Sequence, residues 1–103
     1  MYRQRVTSKV LYGRFNDYLQ ACEEMNEIAR ERGWSEATFW TPTFGVTNEF
    51  VVELEYPDLA TFEEQSRESY ADPEFMKLLR STAEMVEPGS VRTELLETAP
   101  ELA

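Results

Sequence analysis

The sequence predicts an α+β fold: a four-stranded antiparallel sheet with helices on one face, in the order βαββαβ. Three observations predict it. Residues 49–56 alternate between the two faces of a strand. Residues 18–29 repeat their apolar side chains with the period of a helix. Two further helix starts, each led by an aspartate, follow at Asp58 and Asp72.

The elements follow in order. Residues 5–15 alternate loosely and are rich in strand formers, which predicts the first strand. Asn16 is a good N-cap, and Asp17 suits the positive end of a helix. Tyr18, Leu19, Cys22, Met25, Ile28 and Ala29 then share one helix face, with Glu23, Glu24, Glu27 and Glu31 mostly opposite. Arg30 and Arg32 occupy the last turn, and Gly33 supplies a left-handed stop. Residues 36–44 read as a second strand, which Pro42 confines to an edge or an irregular end. Gly45-Val46-Thr47-Asn48 makes the turn. In residues 49–56, Phe50, Val52, Leu54 and Tyr56 point one way, and Glu49, Val51, Glu53 and Glu55 the other.

Pro57 ends that strand, and Asp58 caps a helix from Leu59 whose inner face is Ala60, Phe62, Ser66 and Tyr70. Asp72 at the N-cap and Pro73 at the first helical position start another. Phe75, Leu78, Leu79, Thr82, Ala83 and Val86 follow at helical spacing until Pro88-Gly89. Residues 90–97 alternate as the last strand, and Thr98–Ala103 have no period. No linker or repeat interrupts the chain, so residues 1–103 read as one domain.

This is the ferredoxin-like split βαβ arrangement, and it leaves one face of the sheet for water or a partner. Matching the phase of Val51, Glu53 and Glu55 places Thr7, Lys9, Leu11, Thr38, Trp40, Arg92, Glu94 and Leu96 on that open face, and Val6, Val10 and Tyr12 under the helices. A solvated face rarely gathers so many apolar side chains, and a plain dimer core rarely carries several carboxylates. A half-polar cavity between two such sheets satisfies both. Lys9, Trp40, Glu53, Glu55 and Arg92 are its candidate ligand-binding residues, with Lys9 and Arg92 drawn to Glu53, Glu55 or Glu94. The alternative is an exposed face with ordinary cross-strand ion pairs. Glu53 and Glu55 are the closest pair of carboxylates on one strand face, the pattern a general base would use, although surface pairing is the commoner role. Cys22 reads as a small core residue and Asn48 as a shaper of the turn.

Composition excludes more chemistry than it suggests. The net charge is −10, and Lys occurs only at Lys9 and Lys77, so neither nucleic acid nor an anionic membrane surface is expected as a partner. Without histidine there is no Ser-His-Asp or Cys-His catalysis and no histidine-ligated zinc or haem. No glycine-rich phosphate loop occurs, and the three aspartates lack calcium-loop spacing, so no cofactor or metal is expected. The basic start, Met1 to Arg5, is followed by no apolar stretch of signal-peptide length. With a single cysteine, this predicts a cytoplasmic protein.

Gly45-x-x-Asn48, the strand running to Tyr56-Pro57-Asp58-Leu59-Ala60, and Ala71-Asp72-Pro73-Glu74-Phe75 together resemble the NIPSNAP family of the dimeric α/β-barrel superfamily. The motifs span about residues 39–80, and the element order spans the chain. The resemblance implies a homodimer whose sheets face each other around an interior cavity. Relatives include antibiotic-biosynthesis-type monooxygenases, haem-degrading enzymes, chlorite-dismutase-like proteins, muconolactone isomerases and polyketide cyclases, so the superfamily does not fix the function. The missing histidine tells against the haem-dependent and histidine-dependent members. The resemblance leaves a cofactor-independent monooxygenase or isomerase acting on an apolar or aromatic compound. The alternative is a non-catalytic regulatory or accessory dimerisation module.

Overall fold

The structure is a computed structural model and describes residues 1–101; the last two residues of the tail lie outside them. Its strands are β1 (Tyr2–Lys9), β2 (Thr38–Trp40), β3 (Glu49–Tyr56) and β4 (Arg92–Glu97). Its helices are α1 (Phe15–Arg32), α2 (Leu59–Tyr70) and α3 (Pro73–Thr82), the last followed by a short 3-10 turn at Ala83–Met85. The sheet is antiparallel throughout, in the order β2-β3-β1-β4. The fold is therefore ferredoxin-like, as the element order predicts.

Register sorts the side chains between the faces. Thr7 stands opposite Val51 and Arg92, Arg5 opposite Glu53 and Glu94, and Arg3 opposite Glu55 and Leu96. These residues, with Thr38 and Trp40 of β2, make the open face. Gln4, Val6 and Ser8 lie on the other face with Phe50, Val52, Leu54 and Tyr56, under the helices.

The packed core sits at one end of this layer. Val10, Tyr18, Cys22, Phe50, Met85 and Val86 form one buried cluster. Phe50, only 1% exposed, is its centre and meets Tyr18 and Phe15 edge-on, with ring centroids 5.0 Å and 5.9 Å away. Ser8, equally buried, hydrogen-bonds the Tyr18 hydroxyl at 3.2 Å. By contrast, neither α2 nor α3 buries any side chain completely.

Several element boundaries differ from the sequence reading, each for a local reason. β1 is Tyr2–Lys9 rather than 5–15, because the chain turns away after Val10. Tyr12 falls in that turn, 81% exposed, and not under the helices. α1 starts at Phe15, so Asn16 lies inside it. Arg14 is the cap residue and makes no capping hydrogen bond, but its Nε donates to Asp17 at 3.1 Å. β2 keeps only three of the nine residues expected, and β4 begins at Arg92 rather than at residue 90.

In α2 the sheltered positions are Thr61, Phe62, Gln65, Ser66 and Ser69, while Ala60 and Tyr70 are exposed. Val86 leaves the helix altogether and bridges Val10 in extended form. The two aspartate caps hold. Asp58 accepts from the Thr61 N–H at 2.7 Å, and Asp72 from the Phe75 N–H at 3.0 Å. Gly33 adopts φ 75°, a left-handed geometry that a side chain would strain, and returns its N–H to the last turn of α1.

Candidate functional site

On the open face Glu53 and Glu55 are each neutralised across the strands. Arg5 Nε donates to Glu53 at 2.8 Å, and Arg3 pairs with Glu55. Arg92 lies 3.5 Å from Glu94 of its own strand. Lys9 and Arg92 were expected at Glu53, Glu55 or Glu94, and of these pairings only that of Arg92 with Glu94 is present among the described residues. Lys9 and Arg92 lie toward the other end of the face, beside Glu49 and Thr7 in the register, so the partners of Glu53 and Glu55 are Arg5 and Arg3 of β1. Beginning the first strand at residue 5 hid this ladder, since Arg3 lay outside it. Glu53 is the most sheltered carboxylate of these pairs, its side chain 15% exposed.

Trp40 stands at the edge, 56% exposed, its indole N–H donating to the Thr38 hydroxyl at 3.0 Å. Arg3, Arg5, Glu53, Glu55, Thr38 and Trp40 line an open groove of about 690 Å³. Of the five candidate residues, the groove therefore unites Trp40, Glu53 and Glu55; Lys9 and Arg92 lie outside it.

A second hollow lies behind the sheet, between it and the helices. It measures about 350 Å³ and adjoins the packed core, with which it shares Tyr18 and Cys22. Its floor is Gln4, Val6, Val52, Leu54 and Tyr56 of the sheet. Its walls come from the Cys22, Met25 and Ala29 side of α1, from Gln65, Ser66 and Ser69 of α2, and from Phe75 and Leu79 of α3. No Asp, Glu, Lys or Arg lines it, although 29% of the chain is charged.

Hydrogen bonds fix its rim. Asn26 holds both polar groups of Ala37, at 2.7 Å and 3.2 Å. The Trp34 indole donates to Glu68 at 2.6 Å, and its ring meets Phe75 edge-on at 5.7 Å. The Ser35 N–H donates to Gln65 Oε1 at 2.8 Å. These contacts tie the segment after α1 to both α1 and α2.

Three ionisable groups on this cavity, Cys22, Tyr18 and Tyr56, are poor acids at neutral pH. Burial pushes the Cys22 thiol up to about 11 and raises the phenols of Tyr18 and Tyr56 above 10.0. The sequence reading missed this site because its residues are the ordinary inner faces of the sheet and the three helices. The one available signal was alternation carried two residues upstream of Val6, which puts a glutamine on an otherwise apolar floor.

The sheet order and one-sided helices define a ferredoxin-like α+β protein, and solved structures share that architecture across nearly the whole chain. An uncharacterised NIPSNAP domain protein from Burkholderia xenovorans is 17% identical, with a TM-score of 0.79 over 100% of this chain and 99% of that one. A NIPSNAP family protein of unknown function from Agrobacterium tumefaciens is 19% identical, with a TM-score of 0.77 over 96% and 88%. An antibiotic biosynthesis monooxygenase is 16% identical, with a TM-score of 0.75 over 97% and 100%. No curated protein matches the sequence. Residues 9–99 match the NIPSNAP family, and the chain belongs to it.

Proposed function

We propose that the protein holds a small, neutral, largely apolar molecule in the cavity between its sheet and its helices. The uncharged lining carries this reading. An ion placed there would lose its hydration without gaining a counter-charge, so the site selects neutral ligands. The volume, about 350 Å³, falls within the range of small-molecule pockets. A cofactor-independent oxygenase or isomerase is the finer reading. Likeness in fold to a monooxygenase supports it; the raised pKa values of Cys22, Tyr18 and Tyr56 favour holding a substrate over acid–base work by the chain.

We also propose that the open face meets a second copy of the chain. Arginine and glutamate alternate across it beside Val51, Leu96 and Trp40, so a two-fold axis would set like patches together with their charges already paired. The groove of about 690 Å³ would then be enclosed.

Titration with 1-aminoanthracene, a neutral fluorophore of three fused rings, tests the cavity. Its emission should rise and shift to the blue with the native protein. The response should vanish in Ser66→Phe, which fills the cavity from α2. An unchanged spectrum with the native protein would remove the proposal.

A further inference from the structure

Two side-chain amides that line the cavity have their acceptors engaged and their donors not. Gln4 lies on the floor, on the helix-side face of β1, and Gln65 on the opposite wall in α2. Each amide has its oxygen engaged within the protein. The Tyr56 hydroxyl donates to Gln4 Oε1 at 3.4 Å, and the Ser35 main-chain N–H donates to Gln65 Oε1 at 2.8 Å. The second bond fixes which end of Gln65 faces Ser35, since only the oxygen accepts from an N–H. Both amide nitrogens keep their N–H groups unengaged among the described residues.

Three of the neighbouring polar side chains are spent. The Ser69 and Thr82 hydroxyls donate to Ser66 and Leu79 of their own helices at 3.0 Å and 2.6 Å, and Asn26 is closed on Ala37. The hydroxyls of Ser35, Ser66, Tyr70 and Thr93 also line the cavity and can donate or accept, whereas the two amide N–H groups, on facing walls, can only donate.

We infer that this site recognises its ligand through a carbonyl oxygen, that of a ketone, ester or amide on an otherwise apolar skeleton. The inference rests on the proposal that the cavity is the ligand site. The Nε2 groups of Gln4 and Gln65 donate to that oxygen, and the Tyr56 hydroxyl orients Gln4 from behind. A hydrocarbon of the same shape fills the space but leaves the donors without partners. A carboxylate meets the same donors but gains no cation to offset its lost hydration.

Displacement of 1-aminoanthracene by two ligands of nearly one shape, 9-fluorenone and fluorene, tests this. Fluorenone should bind about tenfold tighter, the value of one net hydrogen bond. In Gln4→Met and in Gln65→Met that ratio should fall toward one, while fluorene binds as to the native protein. Circular dichroism reports folding, and either variant alone decides the question if the other does not fold. Equal affinity of the two ligands for the native protein would overturn the inference and leave the cavity as the ligand site. Tightest binding by fluorene-9-carboxylate would also overturn it. Failure of every ligand, 1-aminoanthracene included, would remove the cavity reading and this inference with it.

Discussion

Arg32, in the last turn of α1, donates through Nε to the carboxylate of Asp72 at 3.0 Å, and the same carboxylate caps α3 through the Phe75 N–H at 3.0 Å. One short acid thus joins the end of one helix to the start of another 40 residues later. Arg32 also reaches Glu74 at 3.3 Å, so it bridges two acids of α3.

The two bonds to Asp72 are not equal in effect. A cap satisfies a main-chain N–H that the helix cannot, whereas an exposed ion pair contributes little. Asp72→Ala should therefore lower the urea midpoint more than Arg32→Ala. Asp72→Asn, which still accepts from the Phe75 N–H, should fall between them. Urea unfolding followed by circular dichroism ranks the three; an Arg32 variant weaker than both Asp72 variants would reverse the assignment.

Acid should weaken the fold through the two caps. The Phe75 N–H holds the Asp72 carboxyl below its ordinary 3.8, helped by Arg32, and the hydrogen bonds from Thr61 do the same for Asp58. A carboxyl with a lower pKa when folded adds stability above the unfolded value and loses it as pH falls through the folded one. Stability should thus be level in these terms above about pH 5 and decline below about pH 4. Asp58→Asn and Asp72→Asn should each make that decline shallower. Melting temperatures taken from pH 6 down to pH 2.5 test it.

Phe50 anchors the filled end of the core. It is 1% exposed and lies at 5.0–5.9 Å from three other rings. Phe50→Ala should cost about 3–5 kcal/mol. Leu54→Ala, beside the cavity, should cost less, because part of the space it vacates already adjoins a void. The comparison of denaturant unfolding for the two variants is the measurement; equal losses would argue that both ends are equally packed.

Cys22 should be inert in the folded protein. At pH 8 a thiol with a pKa of about 11 is ionised in about one molecule per thousand. Its reaction with a thiol-specific dye should be slow in buffer and become fast in denaturant, where the thiol returns to an ordinary pKa. Equal rates in the two conditions would place Cys22 at the surface.

If two copies close over the open face, light scattering at micromolar concentration should give 24 kDa, twice the 12.0 kDa of one chain. Val51→Lys, which sets a cation without a paired carboxylate next to Thr7 and Trp40, should return the protein to 12.0 kDa. A native protein that runs at 12.0 kDa would dismiss this assembly.

Where the chemistry is local, the sequence declares it. Asp58 and Asp72 cap the helices it predicts, and β3 runs over the residues its alternation marks, because both signals are complete within a few positions. The open face is also legible, since alternation in β3 sets the phase for its neighbours. The partners of Glu53 and Glu55 were not legible. They depend on where β1 starts and how it slides against β3, and both are set by pairing across more than 45 residues. The cavity is least legible of all. An inner face that fails to touch its neighbour looks the same in sequence as one that does, and only the spacing of α2 and α3 from the sheet distinguishes them.

The separation of the filled end from the hollow end divides the labour within this small layer. Residues such as Phe50, Val10 and Val86 hold the chain together. Gln4, Gln65, Ser66 and Leu79 surround space instead of filling it. Exchanges among the second group can reshape what the cavity admits while the anchor stays intact. A lineage built on this plan is free to change its ligand by editing one end of the molecule, without redesigning its fold.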